Sequence, residues 1–169
     1  MMALVDQARG YALTLVGSDN PDAAGLAWAR ERELATFALS PKGIGKAAYE
    51  QRLDAALRDA EVEVIALAGY MRLLSPDFIA CWRGRILNIH PSLLPRHKGL
   101  DTHARALAAG DVEHGCSVHL VTAELDAGEV LAQARVPVLA GDTPESLAAR
   151  VLVEEHRLYP ATLAEFVTR

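Results

Sequence analysis

The sequence predicts an α/β fold: a three-layer, mostly parallel sheet with helices on both faces. Three observations predict it. Short apolar runs alternate with amphipathic stretches along the chain, the cadence of strand and helix in turn. One run, VEVIALAG from Val62, is nearly continuous in apolar character, as suits a strand buried on both faces. Polar loops follow the apolar runs, namely GSDN, GYMRLLS, HPSLLPRHKG and AELDAGE, and in open α/β sheets ligands sit where such loops gather, at the carboxyl ends of the strands.

Each element has its own justification. YALTLVGSD from Tyr11 reads as a strand, and NPDAAGLAWARERELA after it as a helix, with Asn20 or Asp19 as cap and Pro21 in the first turn. ATFAL is a brief strand, KAAYEQRLDAALRDA an amphipathic helix, and VEVIALAG the buried strand. SPDFIACW is a short helix opened by Ser75 and Pro76. The strand RILNIH follows, then the helix THARALAAG with Gly110 as its stop. CSVHLVT and EVLAQARVPV are two further strands across the turn AELDAGE, and the stretch from TPESLAARVLVEEHRLYP is helical to the end.

Composition narrows the function classes. The chain has 169 residues, 51% of them hydrophobic, which is enough for one domain over residues 1–169 with a sizeable core. Seventeen Lys and Arg against 22 Asp and Glu leave a formal charge of −5, and no basic block points to nucleic acid. The most apolar run, VEVIALAGYMRLL, carries Glu63 and Arg72 and is too short to span a bilayer or serve as a flanked signal. A soluble, cytoplasmic protein with no membrane partner is expected. Cys81 and Cys116 form no CxxC; both are expected to be reduced and at least partly buried.

The chemistry concentrates in RILNIHPSLLP. Asn88 and His90 are two apart on a strand and so share a face. They form either a hydrogen-bonded structural pair or part of a site. Imidazole can give or take a proton near neutrality, and a carboxylate beside it raises its pKa. Asp126 in LDAG is the best candidate for that carboxylate, with Gly128 freeing the turn to approach a ligand. Asn88 would then be a neutral donor to an oxygen that becomes negative in a tetrahedral intermediate. The three suit acyl transfer to an attacking amine, which needs no serine nucleophile, and no G-x-S-x-G elbow is present. Zinc is the competing reading, but the histidines at 90, 97, 103, 114, 119 and 156 contain no HExxH. His119 shares a strand face with Ser117 and reads as a satisfied structural histidine. Glu154, Glu155 and His156 read as a solvated helix face.

LAGYMRLLSPDF, LNIHPSLLP and HGCSVHLVTAELDAGEV, in that order, resemble the phosphoribosylglycinamide formyltransferase family, the folate-dependent enzymes of purine synthesis, and the likeness runs over most of the chain. The resemblance implies that 10-formyltetrahydrofolate, a co-substrate, gives its formyl group to the amine of glycinamide ribonucleotide, with no metal. It implies a catalytic trio of Asn88, His90 and Asp126, with His90 as proton donor. It implies a folate pocket of Lys46, the backbone of Met71, Arg72, Leu73 and Leu74, Asn88, and the loop Thr122, Ala123, Glu124, Leu125 and Asp126. Gly69, Pro91 and Glu155 would face the nucleotide. Small-molecule partners follow, and oligomeric state does not.

Two related activities are weighed beside it. Methionyl-tRNA formyltransferases share a similar HPSLLP but add a tRNA-binding domain. Formyltetrahydrofolate deformylases pass the formyl group to water and typically carry His where Pro91 stands here; a deformylase-like hydrolase, or a non-catalytic folate-binding remnant, is the alternative reading. The start departs from the family: no first apolar strand and Gly-Ser-Asn phosphate loop is visible, and MMALVDQARG looks like the interior of the helix that should follow that loop. The domain is therefore expected to be N-terminally incomplete relative to the family, with the missing strand a central one beside the Asn/His strand. Asp101 in HKGLDTH is a second, milder departure.

Overall fold

The computed structural model describes residues 1–169. Its elements in chain order are α1 (Met2–Asp6), β1 (Val16–Ser18), α2 (Ala24–Arg30), β2 (Thr36–Ala38), α3 (Lys46–Asp59) and β3 (Ile65–Leu67), then α4 (Pro76–Cys81), β4 (Ile86–His90), α5 (Thr102–Ala108), β5 (Glu113–Leu120), β6 (Val130–Pro137) and α6 (Pro144–Val167). Adjacent strand residues point to opposite faces, and β4 shows both faces covered. Ile86 packs with Leu57, Phe78 and Trp82 from α3, α4 and the residue after α4. Leu87 packs with Leu4 of α1 and with Tyr159 and Leu163 of α6. Each such side chain contributes about 1.5–3 kcal/mol on burial, so this two-sided packing fixes which face Asn88 and His90 share.

The α/β class with helices on both faces is as expected. Parallel pairing extends only to β4: β1 pairs with β2 and β3 with β4 in parallel, whereas β4–β5 and β5–β6 are antiparallel. The turn between β5 and β6 is too short for a crossover, so antiparallel pairing is what that connection permits. Ser75 and Thr143 cap their helices with side chains that accept from the N–H groups of Phe78 and Ser146. At α2 the expected cap is absent: the N-cap is Ala23, and Asn20 instead closes a local turn by accepting from the Asp22 N–H at 3.1 Å. Cys116 is buried, but Cys81 is exposed, because the last turn of α4 presents it outward.

The sheet is interrupted. β1 and β2 form one sheet, and β3-β4-β5-β6 another. The gap is not beside the Asn/His strand, as expected, but between β1 and β3, since β4 is paired on both edges by β3 and β5. The interruption also shortens the neighbouring strands. The expected strand from Tyr11 is regular only at Val16–Ser18, and VEVIALAG only at Ile65–Leu67, because a ladder needs a partner on its edge.

Candidate active site

β4 and β5 build the floor of the site. Their antiparallel register sets Asn88 opposite His119 and His90 opposite Ser117, so these four side chains share one face as cross-strand neighbours. A register irregularity at Val118/His119 adjusts the aim of His119. The loop after β4 is locked from beneath by Ser117. Its hydroxyl donates to the Ser92 carbonyl at 2.6 Å and accepts from the Leu94 N–H at 3.0 Å, and the Gln133 side chain donates to both Ser117 Oγ and the Leu94 carbonyl, each at 2.9 Å. The Pro-Ser-Leu-Leu-Pro segment is thereby a fixed wall.

Asp126 comes from the β5–β6 turn with φ +48°, a left-handed conformation uncommon for residues other than glycine but one that Asp adopts more readily than most. A Cβ added at Gly128 would lie 1.8 Å from the Leu120 carbonyl oxygen, so the turn closes onto the end of β5 only with glycine there. This close approach carries the Asp126 carboxylate inward. Its Oδ2 accepts from the Gly99 N–H at 2.9 Å and stands 3.4 Å from His90 Nδ1, and its Oδ1 stands 3.6 Å from His119 Nε2. The structure thus brings Asn88, His90 and Asp126 into one cluster, with His119 between Asn88 and Asp126.

Hydrogen-bond counting assigns protons. His119 Nδ1 donates to the Leu120 carbonyl at 2.9 Å, so in the neutral ring Nε2 is an acceptor, and the Asn88 amide N–H donates to it at 3.2 Å. Burial lowers the pKa of His119 most, opposed by the Leu120 carbonyl and Asp126. This fixes Asn88 as an amide with one N–H engaged and one N–H left for a ligand oxygen. His90 Nε2 lies 3.0 Å from the His97 carbonyl and Nδ1 faces Asp126; a neutral ring can donate to one of these, and only the imidazolium to both. The arrangement can therefore hold a proton on His90 and position an amide donor two residues away.

The other expected residues fall in three places. Thr122, Ala123, Glu124 and Leu125 lie on the turn that delivers Asp126, with Leu125 51% exposed. Lys46, Met71, Arg72 and Leu73 line a separate depression with Tyr49 and Tyr70. Leu74 is buried with Phe78 and Trp82, so only its backbone is available there. Gly69 ends the β3 segment with φ +71°, and Pro91 directly follows β4. Glu155 is not part of a solvated face: burial pushes its carboxyl pKa up, with the Met1 ammonium opposing. Asp101 begins α5 in a left-handed conformation without capping it through its side chain.

His119, Ser117 and Gln133 were not singled out as site residues from sequence. The signal for His119 was its i, i+2 spacing from Ser117, which becomes informative only once the register with Asn88 and His90 is known. No group of three or more His, Cys, Asp or Glu side chains is arranged to hold a metal ion.

A polar trio brought together by β4 and the β5–β6 turn of an interrupted α/β sheet places the chain in a class, and comparison names it. Residues 1–163 match the family model for formyl transferase, and the chain belongs to that family. The phosphoribosylglycinamide formyltransferase of Escherichia coli is 47% identical over 152 residues, spanning 89% of this chain and 72% of that protein. The human trifunctional purine biosynthetic protein adenosine-3 is 37% identical over 168 residues, covering 96% of this chain but only 17% of that protein. Among solved structures, the phosphoribosylglycinamide formyltransferase of Brucella melitensis superposes with a TM-score of 0.91 at 52% identity, covering 99% of this chain and 88% of that one. The glycinamide ribonucleotide transformylase 1 of Geobacillus kaustophilus gives 0.93 at 39%, covering 98% and 91%.

Proposed function

We propose that the protein transfers the formyl group of 10-formyltetrahydrofolate to the amine of glycinamide ribonucleotide in purine biosynthesis. The observation that carries this is the convergence of Asn88, His90 and Asp126 on a wall held by Ser117, in a chain of the formyl transferase family. The substrate amine attacks the formyl carbon, and the oxygen of the tetrahedral intermediate takes the free N–H of Asn88. His90, between the His97 carbonyl and Asp126, gives its proton to the departing folate nitrogen and is reprotonated by the proton that the attacking amine sheds, and Asp126 steadies the ring that cycles between charge states. Positioning two substrates in one cleft supplies much of the acceleration.

Chemical grounds support a seat for folate. Met71 and Leu73 are 75% and 68% exposed on the loop after β3, and Leu125 is exposed on the turn that carries Asp126. Apolar side chains beside irregular backbone match aromatic rings with a hydrogen-bonding edge. Lys46 at the start of α3 adds a cation near the Met71–Leu73 loop, and Gly69, Pro91 and Glu155 are assigned to the nucleotide side. We assign the reaction to the cytoplasm, in line with two unpaired cysteines. No helix is long and apolar enough to cross a membrane. The test follows 10-formyltetrahydrofolate consumption spectroscopically. Consumption dependent on glycinamide ribonucleotide is expected; equal consumption in water alone would replace the transferase by a hydrolase.

A further inference from the structure

One side of the His90 ring is held by main chain. The carbonyl of His97 accepts from His90 Nε2 at 3.0 Å. Two residues on, the Gly99 N–H donates at 2.9 Å to Asp126 Oδ2, the oxygen that faces His90 Nδ1. The segment from His97 to Gly99 therefore touches both members of the proton-handling pair, and whatever fixes this segment also fixes the aim of the ring.

The backbone of His97 needs such fixing. Its φ is +51°, in the left-handed region that is costly for a residue with a side chain, although histidine enters it more readily than most. The peptide before it is already held, because Ser92 Oγ donates to the Arg96 carbonyl at 2.6 Å. With that end tied, the φ of His97 sets the direction of its carbonyl. Relaxation to an ordinary negative φ would swing the carbonyl away from His90.

The restraint comes from the His97 side chain. Its Nε2 donates to Asp111 Oδ2 at 2.7 Å, with the two side chains 13% and 5% exposed, and a sheltered hydrogen bond to a carboxylate is among the stronger kinds. Asp111 is itself anchored beyond α5: its N–H donates to the Ala106 carbonyl at 3.1 Å, and its Oδ1 accepts from Arg96 Nη2 at 2.8 Å. The buried His114 ring stands edge-on behind the His97 ring, centroids 6.1 Å apart. Arg105 of α5 donates to the carbonyls of Lys98 and Leu100 at 2.6 and 3.3 Å, so the same helix carries the rest of the segment.

We propose that Asp111 and the His97 side chain are positioning residues for the reaction: their hydrogen bond keeps His97 left-handed, so that its carbonyl holds the His90 ring with Nδ1 toward Asp126. The inference rests on the transfer reading above. The pair acts through His90, so it bears on proton delivery and leaves the binding of both substrates alone.

The test uses substrate-free protein ¹⁵N-labelled at histidine, with the His90 ring signal identified by its absence in His90→Ala. The His90 Nε2 proton should exchange at least about tenfold faster in His97→Ala and in Asp111→Ala than in the parent chain, with kcat about tenfold lower and both KM values changed less than about twofold. In His97→Ala the Asp111 carboxylate keeps Arg96, so no buried charge is orphaned and the chain should fold. The amide of His97→Gln can donate to Asp111 and should restore most of both losses. An unchanged His90 signal, a kcat loss without a change in that signal, a loss carried by KM, or no recovery in His97→Gln overturns the proposal. The spectrum needs no substrate, so it judges the pair separately from turnover; a parent chain without glycinamide ribonucleotide-dependent consumption would overturn the transfer reading instead.

Discussion

His90 and Asp126 meet side chain to side chain, Nδ1 to Oδ2 at 3.4 Å, with the two side chains only 7% and 8% exposed. A carboxylate this secluded interacts with the imidazolium more strongly than it would in water. Replacing Asp126 with Asn keeps the shape and removes the charge. Turnover should fall at least about a hundredfold in the Asp126→Asn and His90→Ala variants, with folate affinity changed less than about twofold. Steady-state kinetics paired with folate titration checks this; a loss of folate binding that accounts for the lost activity would count against the assigned roles.

His119 links Asn88 to Asp126 without facing the solvent, and is 2% exposed. It acts as a positioning residue. Its removal in His119→Ala frees the Asn88 amide to rotate, and one positioned hydrogen bond is worth about 1–1.5 kcal/mol. The expected outcome is a fall in kcat of about tenfold with KM nearly unchanged. If KM rises and kcat holds, His119 shapes ground-state binding instead.

Two glycines separate site geometry from stability. At Gly128 an added Cβ would lie 1.8 Å from the Leu120 carbonyl oxygen, and at Gly115 it would lie 1.9 Å from that of Ala134. Both collisions are with backbone. Gly128→Ala should push the β5–β6 turn outward and lower kcat, because Asp126 rides on that turn. Gly115→Ala should separate β5 from β6 and lower the unfolding midpoint. Urea melts and kinetics on both variants check the division; equal stability losses with no kinetic difference would contradict it.

Histidine at position 114 gives a pH prediction. It is 1% exposed, and burial first, then His103 and His97, hold its pKa at about 4, below the ordinary 6.5. Between those values the unfolded chain binds more protons than the folded one, so stability rises with pH across that window. The contribution is present in full above about pH 6.5, declines as the pH falls to about 4, and is flat below. Denaturant midpoints at about pH 7 and about pH 4.5 should differ less in His114→Gln than in the parent chain. The same difference in both would assign the acid sensitivity elsewhere.

The alternation of apolar runs and amphipathic stretches was enough to place the eleven elements named in the sequence, because burial on two faces leaves a composition signature. Asn88 and His90 were legible as neighbours because strand periodicity alone determines that they share a face. Their junction with Asp126 was legible as a candidate through LDAG, but the closing distance depends on Gly128 packing onto Leu120, which is tertiary information. His119 read as structural because its partner Asn88 sits on another strand, and register is not written locally. Glu155 read as solvated because helix periodicity does not show that Met1 lies against it. The position of the gap was misplaced by one strand, since sequence order does not state which strand β4 pairs with on each edge.

The central claim is transfer of a formyl group from folate to an amine by the Asn88–His90–Asp126 cluster. The most direct measurement is a single-turnover reaction with donor carrying a ¹³C-labelled formyl carbon, followed by NMR in the presence of glycinamide ribonucleotide. The label should appear in the formamide of the nucleotide product, and this signal should vanish in His90→Ala. Label appearing as free formate instead, or nucleotide product that persists undiminished in His90→Ala, would contradict the account.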